Sequence, residues 1–168
     1  MNAWFLKKKK DKAKLLKKQF GILQKYNPLW FIKIENKKLI KELRDWFLNV
    51  NAWFVLEVEW IETEKLWPNI VATWEINKSD LIWFDFLICD DNIWQIDIYT
   101  NNGIVPLIKK DNQLSKILKE FNPMKNEWNS FFFDSDNKWS IFSSIIKYME
   151  NYKFPFDNKC IVKNVLDV

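Results

Sequence analysis

The sequence predicts an α+β fold in which an antiparallel meander of four to five strands is flanked by helices. Apolar residues recur at helical spacing before residue 53, at a period close to two from 53 to 108, and at helical spacing again after residue 111. The 168 residues contain no linker rich in Gly, Pro or Ser. We therefore expect a single domain over residues 1–168.

The first predicted element is a basic helical arm over residues 1–25. Leu16, Phe20 and Leu23 follow one another at helical spacing, and Lys side chains occupy most of the surrounding positions. The Asn27-Pro28 dipeptide is expected to end this helix, because the residue before a proline disfavours the helical conformation.

A short strand and a second helix are predicted next. The apolar run at 29–34 (LWFIKI) is typical of a strand. Residues 36–50 carry an apolar stripe at helical spacing, and Asn36 stands where an N-cap is needed.

The segment 53–108 is predicted to form the acidic antiparallel sheet. Polar connectors of hairpin length separate its successive apolar runs. The runs are residues 53–61, 69–76, 81–89 and 93–100, and a shorter fifth run spans 104–108.

Residues 111–152 are predicted to form a helical C-terminal part. One helix begins near Leu114 with Asp111 or Asn112 as its cap, and a later one spans the apolar positions from Trp139 to Met149, with its cap near Asp136. Between these helices, the run 131–133 is predicted to add an edge strand.

The composition excludes several classes of enzyme. The chain has no His, two Gly, one Arg and two Cys. It cannot build a His-based catalytic dyad, a Gly-rich phosphate loop or a four-Cys zinc site. We therefore expect a protein that is not an enzyme and needs no cofactor.

The sequence also predicts a cytoplasmic protein without a membrane span. Four Lys follow the first six residues, so the N-terminus does not resemble a signal peptide. The longest strongly apolar run, 81–89, is much shorter than the roughly 20 residues that a membrane-spanning helix requires.

The net charge of +4 hides a strong asymmetry. Residues 1–44 carry 14 basic and 3 acidic side chains, whereas residues 45–100 carry 2 basic and 11 acidic ones. The two parts either neutralise each other within the fold or present charged surfaces to partners of opposite sign.

The acidic, aromatic meander at 53–100, with the helix at 36–50 before it, resembles bacterial immunity proteins of contact-dependent growth inhibition and related polymorphic toxins. The resemblance implies a cytoplasmic inhibitor that binds a basic nuclease domain of its cognate toxin. Acidic side chains would steer such a partner and aromatic rings would anchor it. The predicted contact residues are Glu57, Glu59, Asp85, Asp90, Asp91, Asp97, Trp83 and Trp94.

Two other functions stay open on sequence grounds. A nucleic-acid-binding protein would use the basic N-terminal segment to contact phosphates. Its predicted contact residues are Lys7, Lys8, Lys9, Lys10, Lys14, Lys17 and Lys18. A metal-dependent nuclease would use carboxylates beside a Lys, as in the run Asp134-Ser135-Asp136-Asn137-Lys138.

Overall fold

A computed structural model describes residues 3–19, 28–58, 68–89, 95–122, 124–125 and 127–168. Six strands are present in these parts: β1 (Leu29–Lys33), β2 (Trp53–Glu57), β3 (Ile70–Thr73), β4 (Phe86–Cys89), β5 (Val105–Lys109) and β6 (Phe131–Phe133). The α-helices are α1 (Ala3–Gln19), α2 (Lys37–Phe47), α3 (Asp97–Thr100), α4 (Lys138–Tyr152) and α5 (Pro155–Leu166). Lys78–Trp83 and Gln113–Lys116 form 3₁₀ helices.

The strands form one sheet in the order β3-β2-β1-β4-β5-β6, and all five pairings are parallel. Trp30 in β1 lies level with Phe54 in β2 on one side and with Phe86 in β4 on the other. The prediction of an antiparallel meander, and with it of an α+β fold, is therefore wrong. The protein has an α/β fold with a wholly parallel sheet.

The error came from segments that were predicted to be strands but are helical. The predicted strand 81–89 contains the end of the 3₁₀ helix Lys78–Trp83 and then β4. The described part of the predicted strand 93–100 contains α3. These helical segments lie between successive strands and allow the chain to return to the same edge of the sheet, as parallel pairing requires.

Other predicted elements are confirmed. The α2 helix begins after Asn36, whose side-chain oxygen accepts a hydrogen bond from the backbone N–H of Leu39 at 3.1 Å. The predicted strands at 29–34 and 131–133 appear as β1 and β6, and β6 lies at an edge of the sheet. By contrast, the helix expected to begin near Leu114 is only a 3₁₀ helix, capped by Asn112.

The core lies on both faces of the sheet, as is usual for parallel sheets. Alternate β1 side chains point to opposite sides, with Trp30 in one buried cluster and Phe31 in the other. The Trp30 face is covered by α2, α4 and α5, and the Phe31 face by the 3₁₀ helix Lys78–Trp83 and α3. Tyr148 of α4 contacts the rings of Trp30, Phe86 and Phe131 and so joins three strands to this helix.

The structure divides the described Trp residues between core and surface. Trp30, Trp83 and Trp128 are buried, whereas Trp74 and Trp139 are 64% and 66% exposed. Within the described parts of the chain, no helix is both long and apolar enough to cross a bilayer. The predicted cytoplasmic location stays a prediction.

Gly103 closes the turn between α3 and β5 with a φ of 63°, a conformation that L side chains rarely adopt. A Cβ at this position would lie 3.1 Å from a ring carbon of Phe5 and 3.2 Å from a methyl carbon of Val162. The turn is therefore packed between helices α1 and α5.

Replacing Gly103 with Ala is expected to destabilise the protein by about 2 kcal/mol, from the left-handed backbone and the crowding at Phe5. Urea unfolding followed by circular dichroism would measure the change. Asn101→Ala is the matched control, because Asn101 is exposed in the same turn and has ordinary helical dihedrals. Equal unfolding free energies for the two variants would contradict this account.

Candidate functional site

The carboxyl ends of all six strands lie at one edge of the sheet, because every pairing is parallel. The chain proceeds outward from β1 through β2 to β3 and then returns to β4 on the other side of β1. This strand order, 3-2-1-4-5-6, is that of Rossmann-type folds. Their ligands bind in the crevice outside the carboxyl ends where the order reverses, here between β1 and β4.

A cleft of about 580 Å³ opens at this edge, a volume within the range of small-molecule sites. Side chains of β1 and β2 and of the segments after β3 and β4 line it, and both charged and apolar groups are present. The lining residues are Phe31, Lys33, Glu57, Glu75, Ile76, Asn77, Lys78, Leu81, Gln95, Ile98 and Tyr99.

Lys33 and Glu57 form an ion pair inside the cleft, with 2.7 Å between Nζ and Oε1. Each residue ends its strand, β1 and β2 respectively, on the face that carries Phe31 and Val55. The Glu57 carboxylate therefore holds the Lys33 ammonium near the point where the strand order reverses. The Lys33 side chain is 42% exposed and can still meet a ligand.

Tyr99 forms part of the wall of the cleft from α3. Its ring stacks on that of Phe31, with 6.0 Å between centroids and 30° between the planes. Burial is the main cause that raises the pKa of the Tyr99 phenol, while the Lys33 charge lowers it and the Glu57 charge raises it. The phenol is thus a neutral hydrogen-bonding group between two opposite charges.

The segment 75–78 also lines the cleft. The backbone N–H of Asp80 donates to the carbonyl of Asn77 at 2.8 Å, which starts the 3₁₀ helix that includes Lys78. Glu75 and Lys78 are exposed here, so the described lining contains two cationic and two anionic side chains.

The acidic residues predicted to bind a partner are not gathered on one surface. Glu57 lies in the cleft, whereas Asp85 precedes β4 at the opposite edge of the sheet and accepts a hydrogen bond from the Leu29 N–H at 2.9 Å. Asp97 is exposed at the start of α3, and Trp83 is buried with 9% of its surface exposed. Glu59, Asp90, Asp91 and Trp94 lie outside the described residues.

The predicted nucleic-acid contacts lie along α1 but differ in environment. Lys7, Lys10, Lys14 and Lys18 are exposed, Lys8 is half-buried, and Lys17 lies on the same helix. Lys9 is 7% exposed and points into the protein. The cluster is therefore not a uniformly solvated cationic surface.

No group of three or more potential metal-ligand side chains occurs within the ranges that the structure describes. In the run proposed for a metal nuclease, Asp136 instead pairs with Lys109 at 2.7 Å and Asp134 with Lys110 at 3.7 Å. The metal-dependent nuclease is thus unsupported.

The sequence interpretation missed Lys33, Lys78 and Tyr99 as site residues. The available signal was a charged residue directly after an apolar run. Lys33 and Glu57 each follow four apolar residues and end a strand. This signal indicates a site only when the strands are parallel, because only then do these ends meet at one edge.

Solved structures with a similar fold include several glycosyltransferases. The catalytic domain of starch synthase IV from Arabidopsis thaliana, bound to ADP and acarbose, matches with a TM-score of 0.76 and 17% identity over 95% of this chain and 39% of that chain. The spinosyn forosaminyltransferase matches with a TM-score of 0.59 and 11% identity, over 85% of this chain and 40% of that one. The calicheamicin glycosyltransferase matches with a TM-score of 0.56 and 10% identity, over 84% of this chain and 37% of that one. No family model and no curated protein matches the sequence.

These similarities establish the fold and overturn the functional expectations drawn from the sequence. The chain has the α/β fold of glycosyltransferase domains, and its resemblance to immunity proteins is wrong. The expectations of a non-enzymatic protein, of a toxin partner and of a nucleic-acid partner are wrong, because the similar structures described above are glycosyltransferases. The acidic antiparallel sheet on which the toxin-binding expectation relied is a parallel sheet. The chain spans about two-fifths of the length of the glycosyltransferases that it matches.

The two charges beside Tyr99 predict opposite shifts of its phenol titration. Lys33→Met should raise the pKa of Tyr99, because it removes a cation that favours the phenolate, and Glu57→Gln should lower it. Proton-detected NMR of ring-labelled tyrosine would measure both shifts. Lys163→Met, on the opposite face of the sheet, is the control and should cause none. Shifts of the same sign in the two cleft variants would disprove this arrangement.

Proposed function

We propose that the cleft binds a nucleoside diphosphate sugar and that the chain is a donor-binding domain for glycosyl transfer. The observation that carries the proposal is the cleft itself, which lies where the strand order reverses and combines cationic, anionic and aromatic side chains. The fold of the glycosyltransferases described above supports it, one of them a starch synthase with ADP bound.

The diphosphate would lie against Lys33 and Lys78. The only Arg, Arg44, is in α2 and hydrogen-bonds to Asp45, so bidentate guanidinium contacts are replaced by the point charges of ammonium groups. The β1–α2 connection has the sequence Ile34-Glu35-Asn36, without glycine. It therefore lacks the glycine-rich turn of dinucleotide-binding sites, and the Lys side chains take on more of the phosphate recognition.

The sugar and the ribose would use the remaining polar groups. Carboxylates such as Glu57 and Glu75 accept hydrogen bonds from vicinal hydroxyls, and the amides of Asn77 and Gln95 can both donate and accept. Tyr99 contributes a ring face and a neutral hydroxyl. Transfer of the bound sugar to an acceptor is proposed as the activity that this binding serves.

Isothermal titration with ADP and ADP-glucose tests the proposal. Lys33→Met should weaken ADP binding about tenfold, the equivalent of ~1.4 kcal/mol, because it removes a cation from the diphosphate site. Lys163→Met on α5 is the matched control and should bind as the parent protein does, since Lys163 is exposed on the opposite face of the sheet.

The Glu57→Gln variant distinguishes the contribution of the nucleotide to binding from that of the sugar. It should strengthen ADP binding, because the carboxylate that competes for the Lys33 ammonium is gone, and it should weaken the additional contribution of the glucose moiety. Absence of saturable binding of ADP, UDP and their glucose conjugates at millimolar concentrations would overturn the proposal.

A further inference from the structure

Lys9 carries a charge into the interior of the protein. The residue is 7% exposed, and its ammonium group donates hydrogen bonds to the backbone carbonyls of Gly103 at 2.7 Å and Asn102 at 3.3 Å. Its neighbours Lys7 and Lys10 on the same helix are exposed. A buried cation on a solvated Lys-rich helix is unusual, because lysine is rarely buried unless its donors are satisfied.

The hydrogen bonds from Lys9 hold the turn that closes α3. In this turn, the N–H groups of Asn102 and Ile104 both donate to the carbonyl of Tyr99, at 3.0 and 3.2 Å. The carbonyls that Lys9 engages therefore belong to the same short hydrogen-bonded unit as Tyr99. The Tyr99 ring forms part of the wall of the cleft.

Helix α1 contacts a second element of the cleft. It packs against the 3₁₀ helix Lys78–Trp83, which supplies Lys78 and Leu81 to the lining. Phe5, one turn before Lys9, lies close to Gly103. Helix α1 thus supports two walls of the cleft, and none of its described side chains lines it.

We propose that Lys9 is a positioning residue for the cleft, which clamps the 101–103 turn and thereby sets the position of Tyr99. The consequence for a bound nucleotide rests on the function proposed above, whereas the effect on Tyr99 does not. The basic segment that the sequence had associated with nucleic acid contains, at this position, an internal anchor.

The direction of the pH dependence follows from the environment of the ammonium group. Burial lowers the pKa of Lys9 to about 8, and the negative charge of Asp85, before β4, opposes that shift. When α1 detaches, Lys9 regains the higher pKa of an exposed lysine and binds a proton more readily. Raising the pH through the docked pKa therefore favours the docked helix.

Limited digestion with trypsin measures this docking without any ligand, because the lysines of α1 become cleavable when the helix opens locally. At about pH 9 most Lys9 side chains are neutral, so Lys9→Met removes two hydrogen bonds with little change of charge. We expect cleavage within α1 to be about tenfold faster in this variant. Lys10→Met removes one exposed cleavage site from the same helix and should leave the rate of cleavage at the remaining sites unchanged.

Two readouts then test positioning itself. Tetranitromethane nitrates accessible tyrosines, and mass spectrometry maps the modified residue. The rate of Tyr99 nitration should rise about threefold in Lys9→Met, because the ring is no longer held, and should not change in Lys10→Met. ADP affinity should fall about fivefold in the same comparison.

The pH dependence of cleavage gives a separate test. In the parent protein, cleavage within α1 should slow as the pH rises from about 7 to 9, when its rate is expressed relative to that of an unstructured reference peptide. The Lys9→Met variant should not show this decrease.

The outcomes separate the two proposals. Faster cleavage with unchanged Tyr99 nitration would make Lys9 an anchor of the helix alone and overturn its positioning role. Equal cleavage in the two variants would overturn the anchor itself, whereas a parent protein whose cleavage does not respond to pH would overturn the lowered pKa of Lys9. Failure of the parent protein to bind ADP would overturn the proposed function, and the nitration comparison would still decide the role of Lys9.

Discussion

Parallel pairing of β1 with both β2 and β4 determines where the other parts of the molecule lie. Because β1 has neighbours on both sides and helices over both faces, its apolar residues Leu29 to Ile32 are all buried. The same pairing brings Lys33 and Glu57, at the ends of adjacent strands, to one edge of the sheet. The cleft thus follows from the direction of the strands and from the return of the chain across β1.

The apolar pattern of the sequence was sufficient to locate most strands but not to orient them. The runs at 29–34 and 131–133 are strands because dense β-branched and aromatic residues favour pleated, buried backbone. A strand buried on both faces shows no alternation of polar and apolar residues, and the sequence of the strand does not indicate its direction in the sheet. Direction depends on the connections, and there Leu81–Trp83 and Asp97–Thr100 are helical although their composition is that of strands.

The candidate site was only partly predictable, because the direction of the strands decides which charged residues meet. Glu57 was identified by its charge, but it was assigned to a protein-binding surface because Lys33, its partner, lies 24 positions earlier in another strand. Asp85 carries the same charge at the opposite edge, where it accepts a backbone hydrogen bond. Likewise, Lys9 is one of four consecutive Lys, and only the packing of α1 on the 101–103 turn distinguishes it from Lys10.

The central place of β1 has a consequence for the order of events during folding. The strands β1, β2 and β3 lie within residues 29–73, but Trp30 meets its partner in β4 only at Phe86, 56 positions later. During synthesis the first three strands emerge before β4, and until β4 arrives one edge of an almost wholly apolar strand has no partner. Closing that long loop is the slow, entropically unfavourable step expected of parallel sheets. The junction of β1 with β4, where the cleft lies, therefore forms only after the first three strands have emerged, and the open edge of β1 is exposed to aggregation beforehand.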